Sequence, residues 1–296
     1  MTYAIALPLQ PLQGVRILSL ALNLPGPAAL MRCSQMGAAC LKLEPPGGDP
    51  MAHYNQAAYA QLHDGIAVRK ADLKTSEGQE ILHRELARTD VLLTSFRPSA
   101  FKKLGIAWET LQQRYPALSQ VAIVGSPGER AEEPGHDLTY LADSGLVPGL
   151  ELPATLYADM SGSLMASEAM LQATLMQRTA EGNNSKGVFI EIALSQAAGY
   201  LALPRQWGLT QPAGWVGGAH AGYRIYACRD GRVAVAALEP HFAAALCAAA
   251  GIAESDVSTL LLPATRQRIA DFLLTQTRQE LDTLALAKDI PLHTMA

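Results

Sequence analysis

The chain has 296 residues, of which 49% are apolar and only 17% charged, and its net charge is −4. That composition excludes a disordered tail or a coiled coil, both of which are rich in charge. Without an overall positive field, neither nucleic acid nor an anionic membrane is an expected partner, and a polyanionic ligand needs a local group of cations. The length allows a large core and about two domains.

Residues 1–8 have neither a basic start nor a long apolar stretch, so no secretory signal is expected there. Residues 15–20 form a short β-rich run. Residues 27–36 predict a helix with Pro27 at its start and Gly37 as its stop. A strand over 39–43 is punctuated by Pro45, Pro46, Gly47 and Gly48. Ser76 opens a helix reaching about residue 88, with Ile81, Leu82 and Leu86 on its inner side. A strand over 91–96, a short helix over 108–115 and a strand over 121–124 follow. Strands separated by helices of this length predict βαβ units, a parallel sheet and the α/β class.

From Asp159 a long helix runs towards Arg178, with Met160, Leu164, Leu171 and Leu175 near one face. Gly182, Asn183 and Asn184 end it, and residues 188–194 read as a buried strand. Two β-rich runs, 223–228 and 233–238, meet around Asp230-Gly231 and predict a hairpin. Everything after Pro240 reads as helices rich in Ala and Leu. This change of pattern predicts a large Rossmann-like domain with a parallel sheet over residues 1–204. A smaller α+β domain is expected over residues 205–296.

Cys33, Cys40, Cys228 and Cys247 lie far apart, with no C-x-x-C pair and no histidine at metal-ligand spacing. They read as reduced structural thiols in a cytoplasmic protein, and no metal is expected. No uninterrupted apolar run approaches the roughly 18 residues of a membrane span. The turn after the first strand, Leu22-Asn23-Leu24-Pro25-Gly26-Pro27, carries no phosphate-binding glycine fingerprint. Its prolines also remove N–H donors that a phosphate cradle would use. The ligand is therefore not the dinucleotide of a Rossmann enzyme.

Taken one at a time, the polar residues near predicted helix starts are unremarkable. Asp159 reads as an N-cap, Asp137 as the cap of a loop-to-helix junction, and Glu239 as the end of a strand before Pro240. Together, however, several stretches resemble the family III CoA-transferases of the CaiB/BaiF type, which include formyl-CoA transferase and α-methylacyl-CoA racemase. They are Gly14-Val15-Arg16-Ile17-Leu18 with Pro25-Gly26-Pro27, Met36-Gly37-Ala38 and Lys42-Leu43-Glu44, then Ala71-Asp72-Leu73-Lys74 with Glu77-Gly78. Next come Asp90-Val91-Leu92-Leu93, Ser95-Phe96-Arg97-Pro98 and Leu104-Gly105, then Gly135-His136-Asp137-Leu138-Thr139-Tyr140 with Ser144-Gly145. Asp159 and Leu238-Glu239-Pro240-His241-Phe242 complete the series, in family order over roughly residues 12–245.

The resemblance implies an enzyme acting on acyl-CoA thioesters, built as an interlocked homodimer, with no cofactor beyond the CoA of its substrate. In the transferase branch the aspartate at the position of Asp159 is a nucleophile that forms aspartyl-CoA intermediates. In the racemase branch it works with a histidine at the position of His136 to move the proton beside the thioester. A glutamate at the position of Glu239 supports that histidine across the subunit interface. The family pattern also assigns CoA binding to Arg97 and Lys74, with Leu73, Lys103 and Asp137 as further candidates.

His136 and Glu239 match the racemase branch, so a 2-methylacyl-CoA racemase is the first expectation. A CoA-transferase is the alternative, and a non-catalytic acyl-CoA-binding homologue is the third. The chemistry suits the residues: inversion needs a base on one face and an acid on the other. Histidine serves near neutral pH, and a desolvated aspartate can match it. Backbone N–H groups at the start of the Asp159 helix are the expected donors to an enolate oxygen. Three departures from the pattern stand out. Pro45 occupies the place where many relatives have an arginine for the CoA adenosine, the interval from His136 to Asp159 is short, and the chain stops soon after Asp289-Ile290-Pro291-Leu292.

Overall fold

A computed structural model describes residues 9–179 and 186–296. The expected helix end at Gly182, Asn183 and Asn184, and the reading of residues 1–8, fall outside the described residues. The chain divides into two units, Met1–Ala202 and Leu203–Ala296.

The first unit is built on six parallel strands: β1 (Arg16–Ser19), β2 (Ala39–Glu44), β3 (Ala67–Lys70), β4 (Val91–Thr94), β5 (Ser119–Val124) and β6 (Phe189–Ala193). Their order is β3-β2-β1-β4-β5-β6, with Ile17 opposite Cys40 on one side and Val91 on the other. Between them run α1 (Pro25–Gln35), α2 (Met51–Tyr54), α3 (Gln56–Leu62), α4 (Ser76–Leu86), α5 (Pro98–Lys103) and α6 (Trp108–Arg114). Then come α7 (Asp137–Asp143), α8 (Tyr157–Thr179) and α9 (Leu194–Leu201).

Alternating side chains fill two separate cores, as a sheet covered on both faces requires. Ile17, Val91, Leu93, Val121 and Ile123 join α1, α7, α8 and α9 in one core. Leu18, Leu43 and Leu92 join Leu82 and Leu86 of α4, Phe101 of α5 and Leu111 of α6 in the other. Each fully buried leucine contributes roughly 1.5–3 kcal/mol.

The apolar residues expected near one face of the long helix are not what it mainly buries. Its inner face is mostly small residues, including Ala158, Gly162, Ala166, Ala169 and Ala173, with Met170 fully buried among them, while Met160, Leu164 and Leu175 are exposed. Small side chains let α8 lie close to its neighbours: a Cβ at Gly162 would come within 2.3 Å of Leu194 Cδ2.

The second unit contains α10 (Leu203–Gln206), β7 (Tyr223–Cys228), β8 (Gly231–Ala236), α11 (Pro240–Ala249), α12 (Val257–Leu260), α13 (Pro263–Thr275), α14 (Arg278–Lys288) and β9 (Leu292–Met295). The hairpin expected around Asp230-Gly231 is present, and Asp230 Oδ1 accepts the Arg278 N–H at 2.8 Å. The segment after Pro240 is not wholly helical. Residues 292–295 pair antiparallel with β8 to complete a sheet of order β7-β8-β9. Four residues with little pattern of their own take strand form because a partner edge is available.

All four cysteines are free, and burial pushes the thiols of Cys33 and Cys40 up to about 12, so both stay protonated. Among the described residues no helix is long and apolar enough to cross a membrane.

Candidate active site

In the strand order of the first unit, β1 and β4 are adjacent although they lie far apart in sequence. Connections from the two strands therefore leave in opposite directions, and a crevice opens beyond their C-terminal ends. Leu22 N–H donates to Ser95 Oγ at 3.1 Å, tying the two diverging loops together. A cavity of about 700 Å³ lies at this end of the sheet, and its lining includes Asn23, Tyr54, Arg97, His136, Tyr140 and Asp159. Two glycines give Tyr140 its place, since a Cβ at Gly125 or Gly135 would sit within 2.5 Å of its phenol oxygen.

Asp159 is not an N-cap. It lies within the first turn of α8, and its N–H donates to Oδ1 of the buried Asp137 at 2.9 Å. Asp137 in turn is the first residue of α7, and His136 precedes it in extended backbone. One carboxylate thus caps the helix that carries the other. Burial pushes the Asp159 carboxyl up to about 6. The charge of Asp137 adds to that rise, and nearby His136 opposes it. The phenols of Tyr140 and Tyr54 are also raised, first by burial and then by neighbouring carboxylates that include Asp159.

The cavity brings together four of the residues singled out in the sequence: Asp159, His136, Asp137 and Arg97. His136 and Arg97 are exposed, and Thr139 Oγ1 accepts the His136 N–H at 3.0 Å. Among the described residues, Leu73, Lys74 and Lys103 do not line the cavity. Lys74 is exposed in the turn before α4, where its N–H donates to Asp72 Oδ1 at 3.0 Å. Leu73 is half-buried, and its carbonyl accepts from Gln79 Nε2 at 2.6 Å. Exposed Lys103 ends α5, close enough with Arg97 to help hold the Glu132 carboxyl low, although hydrogen bonds from Ser99 do more. Glu239 belongs to the second unit. There it precedes α11 and borders an apolar cavity of about 620 Å³ with Trp207, Leu209 and Trp215.

Two features were not legible as site elements. Of the backbone N–H groups at the start of α8, expected as oxyanion donors, that of Asp159 is taken by Asp137. The N–H groups of Tyr157 and Met160 also donate locally, to Thr155 and Leu156 carbonyls. Beside Pro45, the neighbouring strand brings Lys70 to the same loop, where its Nζ donates to the Pro46 carbonyl at 3.2 Å. That placement follows from the pairing of Glu44 with Lys70 across β2 and β3, which the local sequence does not mark.

The profile of CoA-transferase family III matches residues 12–296. The α-methylacyl-CoA racemase of Mus musculus is 30% identical over 292 residues, covering 91% of this chain and 73% of the relative. The (R)-2-hydroxy-4-methylpentanoate CoA-transferase of Clostridioides difficile is 27% identical over 242 residues, covering 75% of this chain and 61% of the relative. Among solved structures, a hypothetical protein from Mycobacterium tuberculosis superposes with a TM-score of 0.82 at 22% identity, covering 97% of this chain and 84% of that one. A CaiB/BaiF family protein from Brucella suis gives 0.79 at 22% identity, with 97% and 84% covered. These two share the fold. The mixed α/β architecture and the profile match over nearly the whole chain therefore lead to one conclusion: the protein is an enzyme belonging to CoA-transferase family III.

Proposed function

We propose that the cavity of the first unit takes a 2-methylacyl-CoA thioester and inverts the carbon next to its carbonyl. The observation that carries this reading is the Asp159 carboxyl, raised to about 6 beside His136 in one cavity. A carboxylate of that basicity exchanges protons with an imidazole at little cost near neutral pH. In one direction Asp159 takes the α-proton from one face, leaving an enolate, and the imidazolium of His136 delivers a proton to the other face. In the reverse direction the two exchange roles. Arg97 is assigned to the CoA phosphates, with Lys74, Lys103 and Leu73 as outer contacts. Asp137 acts on Asp159 rather than on CoA.

Glu239 orients the imidazole from a second copy, so the working form is a homodimer, and reduced buried thiols support a cytoplasmic setting. The outward apolar face of α8 supports the dimer. Similarity to the Clostridioides difficile transferase supports a second reading. There the Asp159 carboxylate attacks the thioester carbonyl, forming an anhydride and releasing the CoA thiolate.

Incubation with a 2-methylacyl-CoA in deuterated water separates these readings. The racemase incorporates deuterium at the α-carbon, and both Asp159→Asn and His136→Gln reduce that rate by about two to four powers of ten. Transfer of CoA to a free carboxylic acid without α-exchange, lost in Asp159→Ala, establishes the transferase instead. If neither reaction occurs but CoA raises the melting temperature, the protein is a binding homologue. With no shift either, the acyl-CoA reading fails.

A further inference from the structure

The first unit buries a second charged cluster that the proposed chemistry does not use. Lys42, on β2, is fully buried, and its ammonium meets three acceptors. They are Asp49 Oδ2, Glu44 Oε1 at 3.2 Å and His63 Nε2 at 2.9 Å. An ammonium has three N–H groups, so all are used. His63 Nδ1 lies 2.7 Å from the Tyr59 carbonyl, which can only accept. The ring therefore carries its proton on Nδ1, leaving Nε2 as a neutral acceptor for Lys42. Tyr59 Oη donates to Glu44 Oε1 at 2.9 Å, and the Asp49 N–H donates to Glu44 Oε2 at 3.2 Å. Donor atoms of Glu44, Asp49 and His63 lie within 4.8 Å of one another, a spacing that suits a cation. Lys42 supplies that cation from the chain itself.

The cluster reaches the cavity through the other oxygen of Asp49. Oδ1 accepts two backbone N–H groups, from Asn23 at 3.1 Å and from Met51 at 2.9 Å. Asn23 has a φ of +65°, a left-handed conformation that side chains other than glycine disfavour and asparagine tolerates best. Its side-chain oxygen accepts from Tyr54 Oη at 3.3 Å. Asn23, Met51 and Tyr54 all line the cavity that contains Asp159. A cluster that merely joined β2 to α3 would need no bond to either backbone amide.

We propose that the Lys42–Asp49 pair is a clamp that fixes the left-handed Asn23 turn and, with it, the substrate-positioning wall of the cavity. Lys42 and Asp49 are thus positioning residues acting through the backbone of residues 22–25 and 51–54. Their effect on turnover rests on the acyl-CoA reading of the cavity, whereas their effect on the turn does not.

Hydrogen exchange and kinetics on the full chain test the two parts separately. Asp49→Asn keeps the side-chain shape but removes the charge that Lys42 balances, and it serves if Lys42→Met fails to fold. In Asp49→Asn the Asn23 and Met51 amides should exchange about tenfold faster or more, while amides of β4 and β5 stay as in the wild type. The kcat/KM for α-exchange should fall about tenfold, carried mainly by KM. Adding Asn23→Gly, which adopts the turn without steric cost, should recover most of that loss. Unchanged exchange at Asn23 overturns the clamp, as does acceleration spread evenly over the unit. A kinetic loss that Asn23→Gly leaves untouched refutes the positioning role. If the wild type shows no α-exchange at all, the acyl-CoA reading fails while hydrogen exchange still decides the clamp.

Discussion

Asp159 titrates where its environment puts it, and that ties stability to pH in a definite direction. Its carboxyl rises from an ordinary 3.8 to about 6 on folding, so the folded state holds a proton that the unfolded chain releases. The stabilising contribution is complete below about pH 4 and is lost as pH rises through 6. Asp159→Asn removes the charge, so its advantage over the wild type grows across that window. Allowing for its partial exposure, the gain at pH 7.5 should be about 1–2 kcal/mol in urea melts, with almost none near pH 4. Asp137→Asn removes the neighbouring charge while leaving an oxygen for the Asp159 N–H, and it should move the window to lower pH. A gain independent of pH would falsify this account. The identities of Asp159 and His136 were legible only as part of a family pattern. The role of Asp137 was not, because a bond between residues 22 positions apart is a product of folding and leaves no local mark.

Elements were legible where their own residues decide them. β1, β4 and β5 each contain a short apolar run and are buried except at Arg16, and α4 has two leucines one turn apart facing its core. β3, with the sequence Ala67-Val68-Arg69-Lys70, is mostly exposed and takes its form from pairing with β2. The exposed leucines of α8 show the limit of the same signal: periodicity identifies an apolar face but not what that face meets. Close approach of elements leaves a clearer trace in glycine. A Cβ on Gly26 would fall 2.2 Å from Ala21 Cβ, where α1 leaves the end of β1. Neither atom has a rotamer to escape into, so Gly26→Ala should cost about 1–3 kcal/mol or more, measured as a fall in urea midpoint with unchanged slope. A neutral result would mean that α1 is free to shift at its first turn.

At the scale of the whole molecule, the unpartnered apolar surface invites a test of assembly. Leu150, Leu152, Leu156, Tyr157, Met160 and Leu164 are all exposed along one stretch that leads into α8. If a second copy covers them, Leu152→Glu with Leu164→Lys should convert a dimer into monomer in sedimentation equilibrium. A dimer that persists in the double variant places the interface elsewhere. The strand order has a different consequence, one of timing. β3, β2 and β1 come from residues 16–70, and β4 and β5 from residues 91–124, so each of these two sets pairs within a short span of chain. The seam between β1 and β4 joins strands more than 70 residues apart, about as far in sequence as β5 lies from β6, and closing loops so long is slow. Asn23 and Arg97 lie on opposite sides of that seam. The cavity at that seam is therefore expected to be a late product of folding, formed when two sets of strands, each paired within its own stretch of chain, finally meet.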